Sequence, residues 1–410
     1  MTANCLADRI DRQNFYAALT AAGMPEVPGE FSVVPCHQVI SAAVVAEITA
    51  FIEAFDRVTT RAAWLAAALR SAPAIFQRRR KEVCFFSAWD FHLPPDGSWQ
   101  LIEFNDNGSG FMFAAIINAL YYKAAEMDRE TAIAAPDSWS AFQQHIGDLV
   151  EQEATEFFGG LPDGLFVVLD EAHTLEQGRF RTELAMLRDL FQARGWQSTL
   201  ASPTMLQWDG RNLLFNGRAV SFIVNRSTDF LWQSREFAAL RSAYEAERVY
   251  VAPSPFTYAT RSDKRLLEWL SLPHSDDALD VTPEERRILS AHVPETHVIR
   301  TENLDELARR KGEFVFKPAH GFAARGLLDS TAVGPTRLRR LLAHGEDYVA
   351  QRHVAKSNQD IDGQPLWTDL RVWAYRGKIF QLSGRASRCA DRLDLSPPGG
   401  WLPTYRSLAL

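Results

Sequence analysis

Long apolar runs are missing from this chain. No stretch of its 410 residues reaches the roughly 18 consecutive apolar residues of a membrane span, and the opening "MTANCLADRIDRQ" lacks a signal-peptide pattern. The expectation is a cytoplasmic protein with no membrane partner. Cysteine is scarce: Cys5, Cys36, Cys84 and Cys389 are scattered, with no CxxC pair. That excludes a cysteine zinc site or a disulfide framework and reads as reduced thiols. Excess positive charge is also absent. A formal net charge of −7 argues against nucleic acid or an anionic membrane as main partner. The clusters Arg78-Arg79-Arg80 and Arg337-Leu-Arg-Arg340 read as solvated helix faces. There is no Walker A sequence, no GxSxG, no HExxH and no strand-linked GxGxxG, so a bound nucleotide would need another architecture.

With 46% hydrophobic and 23% charged residues, the chain can build two or three domains with their own cores. Its most informative stretch is "FFSAWDFHLPPDGSWQLIEFNDNGSGF". Two aromatic-rich runs, Phe85–Leu93 and Trp99–Asn105, flank Pro-Pro-Asp-Gly-Ser, which predicts a hairpin. With Asp96-Gly97 as the central turn residues, Asp90 faces Glu103, and Asn105 shares their side of the strand. Two adjacent carboxylates repel unless a cation lies between them, and with an amide oxygen they form a hard oxygen site suited to Mg²⁺ held together with phosphates. A solvated hairpin with a polar wet face is the competing reading.

Before and after the hairpin the pattern is helical: an Ala-rich segment over 39–72, "GFMFAAIINALYYKAAEM" and the helix preceding Phe158. "GLFVVLDE", the helix "RTELAMLRDLFQARG" and the strand near "WQSTLAS" make a βαβ unit, hence a small parallel sheet. "NGRAVSFIVNRSTDF" adds a strand. Beyond Pro255 come the helix "DKRLLEWLS", with Ser262 as candidate N-cap, then "NLDELARRKG", the strand "EFVFKPA", the loop "HGFAARG" and a strand at "LLDS". The helix "TRLRRLLAHG" follows, then the strand "DYVAQRHV" and a hairpin turning at Arg376-Gly377, before a Gly-Pro-rich tail.

"FVFKPAHGFAARGLL", a strand ending in Lys-Pro and then a glycine-containing loop, resembles the phosphate-gripping part of the ATP-grasp superfamily. The surrounding order is similar too. "SDKRLLEWL" resembles the segment of the first nucleotide lysine, "DYVAQRHV" the strand that holds adenine, and "TDLRVWAYRGKIFQLSGRASR" an Asp-x-Arg strand with its following arginines. The metal hairpin that usually comes next is absent there; "WDF…QLIEFNDNGSG" resembles it, moved to the front. The whole resembles a circularly permuted ATP-grasp protein similar to the synthetase domain of glutathionylspermidine synthetase, over about residues 35–405.

The resemblance implies an α/β (α+β) ATP-grasp fold with a Rossmann-like preceding domain. Residues 1–160 would hold N-terminal helices and the metal hairpin, 161–256 the Rossmann-like domain, and 257–410 the nucleotide lobe and the rest of the C-terminal lobe. It implies Mg²⁺ on Asp90, Glu103 and Asn105, with Glu103 bridging two ions. ATP would lie on Lys264, Lys317, Gly321, Arg325 and Gln351, whose amide would accept the adenine amino group. Arg352 and Val354 would contribute backbone atoms only. Arg371, Arg385 and Arg388 would act on the transferring phosphoryl group; His320 and Phe322 could cover the phosphates, and Asp360 or Asp362 could reach the ribose. Partners would be a small-molecule or peptide carboxylate and an amine nucleophile. A kinase on the same scaffold, or a nucleotide-binding protein without turnover, are the alternatives. Three departures stand out: only Gly321 and Gly326 in the loop, Ala88 where that synthetase has Arg, and Asp394-Leu395 where ribosomal-protein ligases have Asn-Leu.

Overall fold

Strand alternation in the front hairpin sorts its residues by chemistry, and the computed structural model shows where each side goes. Residues 10–24, 32–78, 82, 86–127, 132–272, 276–320, 326–361, 363–390 and 393–408 are described. Ser87–His92 and Gln100–Asn105 pair antiparallel, and Ser87–His92 also pairs with Gln364–Tyr375. The hairpin is thereby built into one antiparallel sheet with Gln364–Tyr375, Lys378–Ser387, Gly400–Leu402 and, at the side, Ser357–Ile361. One face carries Trp89, Phe91, Phe104, Leu370 and Val372. It packs on the apolar side of helix Ala42–Thr59 and on Leu289 of helix Pro283–His292. Burial of this face is the main stabilising term for the sheet. The opposite face presents Asp90, Glu103, Asp369, Arg371 and Arg385.

Asp90 pairs with Glu103, as the turn arithmetic requires, but Phe91 pairs with Leu101 and His92 with Gln100. Ile102 is therefore an extra residue, a β-bulge. The turn itself is tighter towards Pro94, whose carbonyl accepts from the Gly97 N–H. The second hairpin turns at Arg376 and Gly377, both at positive φ, the primed turn that suits two-residue loops.

A second, three-stranded sheet is formed by Thr296–Val298, Tyr348–Arg352 and Phe314–Pro318 in that spatial order, all antiparallel. Phe314 and Phe316 face a core with Leu304, Leu307 and Leu338 from helices Leu304–Arg309 and Pro335–Ala343. Lys317, one residue on, faces away from that core. The expected strand at "LLDS" is instead a single bridge from Leu328 to Phe316, followed by a short 3₁₀ turn over Ser330–Ala332. The tail is more ordered than its composition suggests: Thr404–Arg406 pairs in parallel with Gln38–Ile40 near the front of the chain.

The third sheet contains four parallel strands, ordered Ser198–Ala201, Leu165–Leu169, Arg218–Asn225, Tyr250–Ala252, plus an antiparallel hairpin at residues 206–215. Phe166, Val168, Phe222 and Tyr250 on one face join a core with helix Phe111–Ala124; Val167, Leu169 and Ile223 on the other face join a separate one. Among the described residues no helix is long and apolar enough to cross a membrane. Cys36 is buried and Cys389 half-buried; Cys5 and Cys84 lie outside the described residues.

Candidate active site

The charged face of the antiparallel sheet is a ladder of alternating sign. Asp90 stands opposite Arg371 on the neighbouring strand, and Asp369 opposite Arg385. Arg371 clamps Asp90 with both arms, Nε to Oδ1 at 2.5 Å and Nη2 to Oδ2 at 2.6 Å. Arg385 forks onto Asp369 and reaches Asp90 Oδ2 at 3.1 Å. Burial alone would raise the Asp90 carboxyl, but the two guanidinium groups overcome it and hold the group well below the usual carboxylate range. The four residues form a neutral network in which each buried charge has a partner, the condition for tolerating it.

Glu103, next along the ladder, is only loosely held. Its partner is Lys264, Nζ to Oε1 at 3.4 Å, and its side chain remains 22% exposed. Lys264 is placed by the turn between Tyr258–Ser262 and helix Leu266–Ser271. Ser262 does not cap that helix. Its hydroxyl donates to Asp106 Oδ2 and accepts from the Asp106 N–H, which ties the lysine-bearing turn to the end of the front hairpin.

Lys317 comes to the same place from the facing small sheet. Its ammonium donates to Gln351 Oε1 at 2.6 Å and to the carbonyl of Ile102 at 3.2 Å. The bulge leaves Ile102 outside the pairs of the ladder, so its carbonyl is open to a donor from across the cleft. Burial pushes the Lys317 ammonium down to about 8; Glu103 opposes the shift and Lys264 adds to it. Thus Glu103, Lys264, Lys317 and Arg371, from four separate segments, gather around one cleft between two sheets.

Gln351 differs from the expectation in orientation. Its Oε1 is occupied by Lys317, and its buried Nε2 has no partner among the described residues. The amide thus offers a donor, rather than an acceptor, to a base in the cleft. Arg352 directs its side chain to Glu295 and Glu313. The carbonyl of Val354 is taken by His92 Nδ1 at 2.7 Å. That makes His92, which the sequence reading passed over, a strut between the hairpin and the connection linking the sheets. Burial pushes its imidazole down to about 4, so it is neutral and Nδ1 carries the donated proton. Arg388 is exposed just past the end of its strand. Asp360 accepts from the Gly363 N–H and so closes a hairpin turn. Gly321, Phe322, Arg325 and Asp362 lie outside the described residues.

The oxygen donors fit a divalent cation in part. Glu103 is loosely paired and partly exposed, and the Asn105 amide makes no side-chain hydrogen bond among the described residues. Both oxygens could serve Mg²⁺, which takes one or two protein ligands plus phosphate oxygens. Asp90 does not fit in this geometry, because both its oxygens are committed to arginines. Among the described residues no three His, Cys, Asp or Glu side chains form a metal cage.

The loop after Asn105 connects this cleft to the C-terminal edge of the parallel sheet. Gly108 sits at φ +53, and a Cβ there would lie 1.5 Å from the Phe86 carbonyl oxygen, so only glycine fits. Arg371 Nη1 reaches the Ser109 carbonyl at 3.4 Å, and Asn107 Nδ2 donates to the Arg226 carbonyl at 3.0 Å. Glu183, wholly buried, accepts from the N–H groups of Gly110 and Met112 at the start of helix Phe111–Ala124. Arg226 pairs with Glu183 at 2.9 Å, yet its Nε and Nη1 are buried without a hydrogen-bond partner among the described residues. Beside them, burial and the neighbouring Glu171 push Asp170 up to about 9, so it is a neutral acid at pH 7. Neither the buried Arg226 nor the protonated Asp170 had a signal in composition or motif. Their position, just past parallel strand ends, is where open α/β sheets bind ligands.

No protein-family model matches the chain, and neither does any curated protein sequence. Among solved structures, the chain is similar to a glutathione synthetase-like effector from Globodera pallida, with a TM-score of 0.55 and 10% identity over 92% of this chain and 90% of that one. An identity this low shows a shared fold alone, here a mixed α/β architecture of several sheets. Two weaker likenesses carry no argument. One is to a putative γ-glutamylcysteine synthetase from Methylobacillus flagellatus KT (TM-score 0.46, 11% identity, 91% and 89% coverage). The other is to the ATP-grasp ligase PsnB with a minimal precursor (TM-score 0.30, 15% identity, 60% and 90% coverage).

Proposed function

We propose that this protein is an ATP-dependent carboxylate–amine ligase on a circularly permuted ATP-grasp fold, with the parallel sheet as its Rossmann-like domain. The observation that carries the reading is the meeting of Lys317 with the front hairpin. The ammonium bonds the carbonyl that precedes Glu103, although 215 residues separate Lys317 from Ile102. A hairpin near the front of the chain and a strand near its end thereby complete one charged cleft.

In that cleft the polyphosphate of ATP would lie against Lys264, Lys317 and Arg371. The base would sit between the small sheet, whose cleft side carries Val315, Val349 and Gln351, and the connection at Val354. Mg²⁺ on Glu103 and Asn105 would neutralise charge on the β- and γ-phosphates. The chain supplies fixed positive charge where negative charge develops, which suits phosphoryl transfer because little covalent work falls to the protein. A carboxylate oxygen attacks the γ-phosphorus and ADP leaves. An amine then displaces phosphate from the acyl carbon and forms the amide. Arg226, with two nitrogens that have no partner among the described residues, is suited to holding the carboxylate partner at the edge of the parallel sheet.

The test is phosphate release from ATP across pairs of carboxylates and amines. Release that requires both partners, with an amide product, is the expected result. A phosphorylated product with no free phosphate would make the protein a kinase, and Mg-ATP binding without turnover on any pair would make it a nucleotide-binding protein.

A further inference from the structure

Gln351 lies on Tyr348–Arg352, the central strand of the small sheet, opposite Thr296 on one side and Val315 on the other. Ladders on both sides take the strand's peptide groups, which leaves its side chains to meet a ligand. Gln351 is only 2% exposed, while Val315 and Lys317 on the same face are half-buried, so the face opens towards the cleft beside the amide.

The neighbouring ammonium fixes which way the amide points. Lys317 Nζ carries three donors and no acceptor, and it stands 2.6 Å from Oε1. Turning the amide over would set its NH2 against the ammonium and give up a charge-assisted bond. Nζ uses two of its hydrogens on Gln351 and the Ile102 carbonyl, so the third can meet a phosphate oxygen without releasing the amide. Nε2 is thereby held as a donor, buried and without a partner among the described residues. Such a group is costly to leave unpaired. The other groups expected at the base are engaged elsewhere. Lys317 holds Oε1, His92 Nδ1 holds the Val354 carbonyl at 2.7 Å, and the Arg352 N–H donates to the Glu295 carbonyl.

We propose that Gln351 Nε2 donates to an acceptor on the nucleotide base, and that this donor reads the base in place of any contact to an exocyclic amino group. A purine with a carbonyl where adenine has its amino group then suits the site as well as adenine does. The assignment rests on the nucleotide part of the reading above and deepens it, since it makes Gln351 the residue that sets base specificity. A site built to accept the amino group would hold an unpaired acceptor against a purine lacking it, and would reject that purine. A site that presents a donor carries no such penalty.

The experiment measures, by calorimetry on the full chain, the affinities of the Mg²⁺ complexes of ATP, inosine 5′-triphosphate and purine riboside 5′-triphosphate, with no carboxylate or amine present. The inosine nucleotide has oxygen in place of the amino group and the purine riboside nucleotide has hydrogen. Both should bind as tightly as ATP to within about threefold, or more tightly. ATP bound more than about threefold tighter than either would overturn the proposal. Gln351→Leu removes the donor and should weaken all three nucleotides at least about tenfold more than it weakens Mg-tripolyphosphate, which has no base. A smaller difference would show that Gln351 acts only through Lys317, and would overturn the proposal as well. Should the variant not fold, the three parent affinities decide alone. Absence of binding by every triphosphate would sink the nucleotide reading and the proposal together. The expected affinities without amide formation would sink the ligase reading alone.

Discussion

Lys317→Met separates what this lysine does for the fold from what it does for a nucleotide. In the free protein the ammonium titrates at about 8 rather than 10.5, a difference of about 3 kcal/mol against the charged form. Below pH 8 both folded and unfolded chains carry the proton, and the folded chain bears the full burial cost. Between pH 8 and 10.5 the folded protein releases its proton first, so stability rises with pH across that window. Methionine keeps the stem and removes the charge, but it leaves the Gln351 amide and the Ile102 carbonyl without their donor, at a cost of about 1–2 kcal/mol. The variant should therefore be about 1–2 kcal/mol more stable than the parent at pH 7, with a flat pH profile, while binding Mg-ATP about 10- to 100-fold more weakly. Phosphate oxygens against the ammonium would restore its proton, so ATP binding at pH 8 should take up about half a proton. Titration calorimetry in two buffers of different ionisation enthalpy measures that uptake, and the variant should show none. Equal proton uptake in both proteins, with equal ATP affinity, would refute the phosphate role of Lys317.

Glu103→Gln should lower Mg²⁺-dependent turnover about 10²-fold or more, while its melting temperature stays close to the parent's, because the carboxylate is partly exposed and held by one long contact. Arg385→Leu strips two buried carboxylates, Asp369 and Asp90, of a shared counter-charge. It should cost about 3–5 kcal/mol in chemical denaturation, and Arg385→Lys should recover only part of that because an ammonium cannot fork onto Asp369. Asp170 stays protonated in the folded chain up to about pH 9 but ionises near 4 when unfolded, so its contribution to stability falls as pH rises between those values. Asp170→Asn should flatten that slope and raise the melting temperature at pH 8; an unchanged slope would show that Asp170 is ionised in the native state.

Local chemistry in the sequence determined the elements and the pairing at their centre. Alternation in "WDF" and "IEFN" put Asp90 opposite Glu103, the apolar run "GLFVVLDE" became a parallel strand, and Arg376-Gly377 became a two-residue turn. These follow from periods of two and 3.6 residues and from residues that favour positive φ, all of which act over a few neighbours. The order of the segments around "FVFKPA" also pointed to a mixed α/β architecture of several sheets, which the chain has. Tertiary structure decided the rest. Whether Asp90 bonds a metal or an arginine depends on Arg371 and Arg385, which come 281 or more residues later and meet it only when the sheet assembles. The bulge at Ile102, which no motif marks, aims a carbonyl at Lys317. Gln351, His92 and Asp170 owe their hydrogen bonds or protonation to groups brought beside them by other elements and to the exclusion of water. Burial and counter-charge are properties of the assembled fold, and a chain read along its length carries neither.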